Sequence, residues 1–287
     1  MSVEAAQIPT TIPPVREAGR LRSMIDVYLA LIKFAAIEQF QYRVATYFWL
    51  VGMVTEPVIY LVVWSTIARS NGGSVGGFTA GQFAAYYIVW TLVRNMNIVF
   101  TPLGWEWRIR EGQLSAQLLR PLHPIHYDLG EFAGGKLVGI LLWLPVGAVL
   151  TVAFRPTLHP TALQIGVFAV AIWGAYLVRS MFQWVMGMIT FWTTMIGAIA
   201  ETWYISEMLL SGRLVPLSLM PHWVQSVAAF LPFKWTFGFP IESLGGNLST
   251  AQLLGGLAMQ ALWISVGVLL VRVVWARGTR RYTAVGG

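Results

Sequence analysis

The chain has 287 residues, 56% of them hydrophobic and 11% charged, with a mean hydropathy of +0.64. A soluble domain carries about 25% charged residues, so composition excludes an ordinary soluble globule and places the chain in a bilayer. Cysteine is absent, which excludes a disulfide framework and thiolate chemistry, and the net charge of +7 reads first as topology. Lys and Arg collect in cytoplasmic loops, and nucleic-acid binding is the weaker reading. Fourteen Trp and ten Tyr suit two interfacial belts, although core packing accommodates them equally.

Residues 1–22 are Pro- and Thr-rich and hold no apolar run, so they read as a disordered cytoplasmic tail rather than a signal peptide. Over 23–44, Met24, Tyr28, Leu31 and Ala35 recur at helical spacing. Asp26, Lys33, Glu38, Gln39 and Arg43 oppose insertion, which predicts an amphipathic helix lying in the cytoplasmic interface. A soluble core helix is the alternative. Span 1, about Ala45–Ala68, carries Glu56 beside Pro57. An intramembrane carboxylate is costly, so Glu56 is either functional or paired within the bundle. The run SNGGSVGG predicts a loop. Span 2, about Gln82–Leu103, carries Arg94, Asn95 and Asn97, which are expected to face protein or a cavity.

The polar stretch EWRIREGQLSAQLLRPLHPIHYD, Glu106–Asp128, separates two apolar runs. Leu114, Leu118 and Leu119 give it a short helix with one apolar edge, which Pro121 and Pro124 stop. Span 3 covers about Leu137–Phe154, and RPTLHP makes a turn. Residues 161–210 suffice for two spans, with the turn placed between Arg179 and Thr194. Across 211–246 the prolines leave no uninterrupted run, so short re-entrant helices are expected, buried in protein or lining water. Span 6 covers about Leu253–Trp275, and 276–287 is a basic tail.

With six spans and the N-terminus inside, fourteen of the nineteen Lys and Arg fall inside, Arg179 among them, and four outside, with Arg94 in a span. The bias favours both termini in the cytoplasm.

Three arrangements carry chemistry at first sight. GEFAGGKL, Gly130–Leu137, fits G-x-x-x-x-G-K, but Leu137 stands where Ser or Thr holds magnesium and no buried strand precedes it. Its glycines read better as a surface for close helix packing. His123 and His126 flank Pro124 near Asp128, yet a metal needs three or four convergent ligands, and His159 and His222 lie across the membrane. A structural role is expected there and no metal site. Glu201 and Glu207 are six apart, on nearly opposite helix faces, and do not make one relay; Glu207 is expected near the outer surface.

GRLVPLSLMPHWVQSVAAFLPFKWTFGFP resembles the segment before the last span of ABC-2 type transporter permeases. IREGQLSAQLLRPLHPIHYDLG is similar to the loop between spans 2 and 3 in the ABC-2 family exporter permeases of about this length. The resemblance runs over about residues 22–280. It implies an all-α polytopic fold with an interfacial helix, six spans, a coupling segment at 104–136 and a re-entrant segment at 211–246, the transmembrane domain covering 45–275. It further implies one permease subunit of an ATP-driven exporter in a bacterial cytoplasmic membrane, paired with a second permease as homodimer or heterodimer. The chain itself would bind no cofactor, ATP and Mg residing on a separate ATP-binding subunit.

On this resemblance the coupling residues are Arg108, Arg110, Glu111, Gly112, Leu114, Leu118, Leu119, Arg120 and Pro121. The extracellular gate falls on Gly212, Leu214, Val215, Pro216, Pro221, Pro232, Phe233 and Pro240. The translocation path is expected near Glu56, Arg94, Asn95, Asn97, Phe100, Phe191, Trp192 and Glu201, although bundle packing explains each of these side chains as well. The cargo class spans lipids, glycan precursors, drugs and peptides. A membrane enzyme acting on lipid-linked substrates and a proton-coupled carrier are the alternatives. The carrier more often shows two repeated halves, which this sequence lacks.

Overall fold

The computed structural model describes residues 20–246 and 248–282. The expected disordered tail lies outside these residues up to position 19, and so does the basic tail from 283 on. The first helix, α1 (Arg20–Gln41), is followed almost directly by α2 (Arg43–Ser70), which runs on through Pro57. The glycine-rich loop is more ordered than expected. Strands β1 (Ser74–Val75) and β2 (Phe78–Thr79) pair antiparallel around Gly76 and Gly77, whose φ values of 55° and 85° suit a two-residue hairpin turn.

Thr79 and Gln82 form a reciprocal cap that starts α3 (Ala80–Met96). Span 2 was expected to reach Leu103, and the helix stops at Met96 instead. Asn97 turns its side-chain amide onto Val93 O at 3.1 Å and Thr236 O at 2.6 Å, tying the helix end to a distant segment. Thr101 then caps α4 (Pro102–Arg110), with proline at its first position. Gly112, at φ 69°, makes the turn into α5 (Leu114–Leu118). Next, α6 (Pro124–Phe154) begins well before the expected Leu137, because Pro124 opens a helix rather than merely ending one.

A second reciprocal cap, Thr161 with Gln164, starts α7 (Ala162–Met188). A 3-10 turn at Ile189–Phe191 leads into α8 (Gly197–Leu210). The break between these two helices overlaps the expected interval and ends two residues past Thr194, and Arg179 plays no part in it. It sits inside α7 and makes a bidentate pair with Glu207 of α8 at 2.8 Å for each bond. Arg179 therefore leaves the cytoplasmic charge count. Glu207 is fully buried within the bundle.

The proline-rich region forms a 3-10 turn at Leu217–Leu219 and three short helices, α9 (His222–Phe230), α10 (Phe233–Thr236) and α11 (Gly238–Gly245). None is long enough to span. Ser249 and Gln252 cap α12 (Thr250–Gly278). Among the described residues three helices are long and apolar enough to cross a membrane, Pro124–Phe154, Ala162–Phe191 and Thr250–Gly278, so the chain is a multi-pass all-α membrane protein. Of these α7 is central and the most buried, whereas α6 and α12 keep broad apolar surfaces exposed.

Two of the four apolar clusters among the described residues matter most for the site. One joins α2, α3 and α11 through Leu61, Phe83, Tyr87, Trp90 and Ile241. The other joins α4, α5, α7 and α12 through Trp105, Leu114, Trp184, Met188 and Val271. Glycines let α1 lie on α6. A Cβ on Gly134 would come 2.6 Å from the Ile32 carbonyl oxygen, and one on Gly130 would meet Leu31. The Walker-like run thus lies on a helix and supplies packing glycines.

Candidate functional site

The elbow of residues 101–128 is built around Trp105, which is fully buried. Its ring meets Trp184 at 4.4 Å and Trp275 at 6.1 Å, and His123 lies tilted against Trp275 at 4.2 Å. Burial, with a smaller contribution from the neighbouring His126, pushes the His123 imidazole down to about 4. The neutral ring accepts a hydrogen bond from the Ile125 backbone at Nδ1, 3.2 Å away. His126 is hydrogen-bonded to Tyr28 of α1 at 2.9 Å. Both histidines are thereby engaged in packing, and no cluster of three metal-ligating side chains exists among the described residues.

Ion pairs complete the elbow. Arg108 grips Asp128 through two bonds of 3.0 and 3.1 Å and lies 4.0 Å over the Phe100 ring. Glu106 accepts from Arg110 at 3.1 Å and from the Ile196 backbone N–H at 2.9 Å, linking α4 to the start of α8. The expected coupling residues therefore divide. Arg108, Gly112 and Leu114 face inward or form the turn, and Leu114 is fully buried rather than an apolar knob. Arg110, Glu111, Leu118, Leu119, Arg120 and Pro121 are exposed, Leu119 at 89%. Trp105, Glu106, Asp128, Trp184 and Trp275 complete the site. Sequence reasoning gave none of them a coupling role, because most of their partners lie on other helices. The elbow also rests on α7, α8 and α12, not on its two flanking helices alone.

The proline-rich segment is held by α3. Tyr86 donates to Gly212 O at 2.7 Å and Tyr87 to Leu214 O at 2.9 Å. Gly212 has φ 83°, a conformation that favours glycine. Val215 is buried, and Pro216 precedes the 3-10 turn. Pro221 precedes α9, Pro232 precedes α10 and Pro240 lies in the first turn of α11. Phe233 meets Trp203 edge-on at 4.6 Å.

The expected path residues do not form one surface. Asn97, Phe100 and Phe191 are packing elements; Phe191 fills the space beside Gly278. Trp192 and Glu201 are exposed at and beyond the α7–α8 break. Asn95 lines a cavity of about 500 Å³ between α1, α3 and α6, together with Glu38, Glu131 and Lys136. Lys136 is buried, donates to Ile98 O and stands over the Tyr176 ring. Glu56 and Arg94 do meet. Arg94 Nη1 lies 2.5 Å from Glu56 Oε2, and Arg213, which sequence reasoning left out, reaches the same carboxylate at 3.0 Å. Arg213 stands next to Gly212 in a loop, so no helical periodicity pointed from it to α2.

The residues thus supply an anchored elbow with an exposed corner, a tethered proline-rich segment and a charged cluster between them. A comparison with curated proteins found no match. The family model described as ABC-2 family transporter protein matches residues 54–286, from the middle of α2 past the end of α12. The chain therefore belongs to the ABC-2 family of transporters, as a transmembrane component that works with a separate ATP-binding cassette subunit.

Proposed function

We propose that the chain is the permease subunit of an ATP-driven exporter, with six spans, both termini in the cytoplasm of a bacterial cell, and a second permease beside it. Cargo of amphipathic or lipid-like character passes outward between the two permeases by alternating access. With Arg179 inside the bundle, the remaining Lys and Arg still favour the termini and the elbow on the cytoplasmic side.

The observation that carries this reading is the corner Leu118–Leu119–Arg120. Two exposed leucines and an exposed arginine project from an elbow whose inner face is fixed to α7, α8 and α12. An exposed apolar corner flanked by charge suits a groove on a cytosolic partner. A push there travels through the Trp105 cluster and the Glu106–Ile196 link into the bundle, the kind of rigid-body transmission that packed interfaces support. The proline-rich segment, tethered by Tyr86 and Tyr87, would serve as the outer gate.

Replacing Leu118 and Leu119 together by Asp tests the reading. Co-purification of the ATP-binding subunit and ATP-dependent transport are expected to be lost while the permease still inserts and folds. Retained association and transport would refute the coupling assignment.

A further inference from the structure

Four glycines lie in and just past the run GEFAGGKL, and they serve two ends. Gly130 and Gly134 give α1 its seat, whereas Gly135 and Gly139 line the cavity of about 500 Å³ between α1, α3 and α6. Small-molecule sites occupy roughly 300–1,000 Å³. Glu131, Gly135, Gly139 and Leu142 recur at i, i+4, i+8 and i+11, so one face of α6 forms a wall of the cavity. That wall runs from an exposed carboxylate to a half-buried leucine. A Cβ on Gly135 would have only the Gln39 amide within 4 Å, at 3.4 Å. A side chain at 135 would therefore grow into the cavity and strike no backbone at its base.

The floor carries a polar group that no described residue satisfies. Asn95 is 4% exposed and its side-chain amide makes no hydrogen bond among the described residues. It lines the cavity beside Gly139, whose Cβ would come 2.5 Å from the Asn95 Oδ1. A buried amide without a partner costs free energy and calls for a guest. At the mouth stand Glu38 of α1 and Glu131 of α6, both exposed and within electrostatic reach of each other. Among the described residues no cation forms an ion pair with either. Lys136 also lines the cavity, but its ammonium donates to Ile98 O and stands over the Tyr176 ring. Arg108, which Glu131 also feels, is held by Asp128 through two bonds. Carboxylates only accept hydrogen bonds and disfavour each other's charge, so a guest between two of them brings donors and positive charge. An ammonium brings both. Phe132, Ile98 and Leu142 line the remainder, which suits an aliphatic chain. Glu131 lies three residues beyond Asp128 on α6, so the mouth adjoins the elbow.

We propose that this cavity binds the ammonium head of an amphiphile, with Glu38 and Glu131 as its carboxylate partners and Asn95 as a hydrogen-bonding floor, and that the amphiphile is cargo. The cargo assignment rests on the permease reading above, whereas the site itself does not.

The full-length chain in dodecyl maltoside is titrated at neutral pH with octylamine, octanoate and ethanolamine, with the unfolding temperature as readout. Octylamine is expected to raise it saturably and octanoate to leave it unchanged. Gly135→Val is expected to lose the shift while its own unfolding temperature stays that of the wild type. Glu38→Gln and Glu131→Gln are each expected to weaken octylamine binding about tenfold, the worth of one charge-assisted hydrogen bond. An undiminished shift in Gly135→Val would place the ligand elsewhere and overturn the proposal, as would an undiminished shift in both carboxylate variants. A shift with octanoate in place of octylamine would make Lys136 the binding group and overturn the ammonium assignment. Ethanolamine saturating at the same concentration as octylamine would overturn the amphiphile. Competition with octylamine by added phosphatidylethanolamine, and none by phosphatidylglycerol, would identify a membrane lipid as the source of the head; its absence would identify a free cationic amphiphile. In the complex with its ATP-binding subunit, octylamine is expected to raise ATP hydrolysis in the wild type and not in Gly135→Val. Binding without that response would overturn the assignment to cargo, whereas failure of the complex to assemble at all would refute the permease reading itself.

Discussion

Asp128 is 6% exposed and receives both terminal nitrogens of Arg108, so replacing it strands a guanidinium beside Phe100 and Trp105. Breaking a buried pair from one side costs on the order of 3–5 kcal/mol, while replacing both partners by apolar groups is often close to neutral. Asp128→Asn is therefore expected to lower the unfolding temperature in detergent markedly, and Arg108→Met with Asp128→Leu to restore much of it. A double variant no better than the single one would show that the pair is not what holds the elbow. His123 sets a pH dependence of known sign. Its folded pKa, about 4, lies below the ordinary 6.5, so the unfolded chain takes up the proton first as pH falls. The stability tied to the neutral ring is present above about 6.5 and is lost as pH drops from there towards 4. His123→Gln is expected to flatten the unfolding temperature across that window, and a wild-type curve already flat between pH 7 and 5 would contradict the buried neutral ring. At this scale the sequence made the chemistry of single side chains legible and their partners illegible. Glu56 was readable as a costly carboxylate, but Arg213 lies 157 residues away from it.

Helix starts were written locally. Thr79, Thr161 and Ser249 each precede a Gln by three residues, and all three form reciprocal caps. Helix ends were not. Hydropathy carries span 2 through Ile98, Val99 and Phe100, but the Asn97 side chain finds the Thr236 carbonyl, 139 residues on, and the helix closes at Met96. That α1 is a helix was legible from its spacing, and its seat on α6 follows from the glycines of GEFAGGKL. Gly134→Val places its branched side chain against the Ile32 carbonyl, while Gly135 has only the Gln39 amide at 3.4 Å as a neighbour. Gly134→Val is expected to strip amide hydrogen-exchange protection from α1 and leave that of α7 intact, with Gly135→Val close to the wild type. Equal protection of α1 in both variants would show that α1 does not depend on this seat. The elbow was legible as polar, helical and stopped by prolines. That its arginine and leucine edges split between inside and outside depended on Trp105, whose neighbours Trp184 and Trp275 come from two other helices.

Long helices in this molecule are fewer than expected spans. Among the described residues three helices meet the length and apolarity of a crossing, and α8, with fourteen residues, extends about 21 Å, short of the roughly 30 Å hydrocarbon core. The proline-rich segment packs beside it through α10: Phe233 packs on Trp203 of α8, and Thr236 meets the end of α3. Composition could not reveal this, because a short helix completed by neighbouring irregular backbone has the same apolar content as a full span. Charge asymmetry was legible, and it yields a test that does not depend on where each helix ends. The chain has no cysteine, so single-cysteine variants can be labelled without background. Asn71, Gln113, His159 and Arg280 are exposed and lie in four separate connections or ends. With an impermeant maleimide on intact cells, Asn71→Cys and His159→Cys are expected to label at once, and Gln113→Cys and Arg280→Cys only after permeabilisation. The hairpin and the loop before α7 then share the outer face, opposite the elbow and the end of α12, as six crossings require. Labelling of Gln113→Cys from outside would invert the elbow, remove it from the reach of any cytosolic ATPase and refute the exporter topology as a whole.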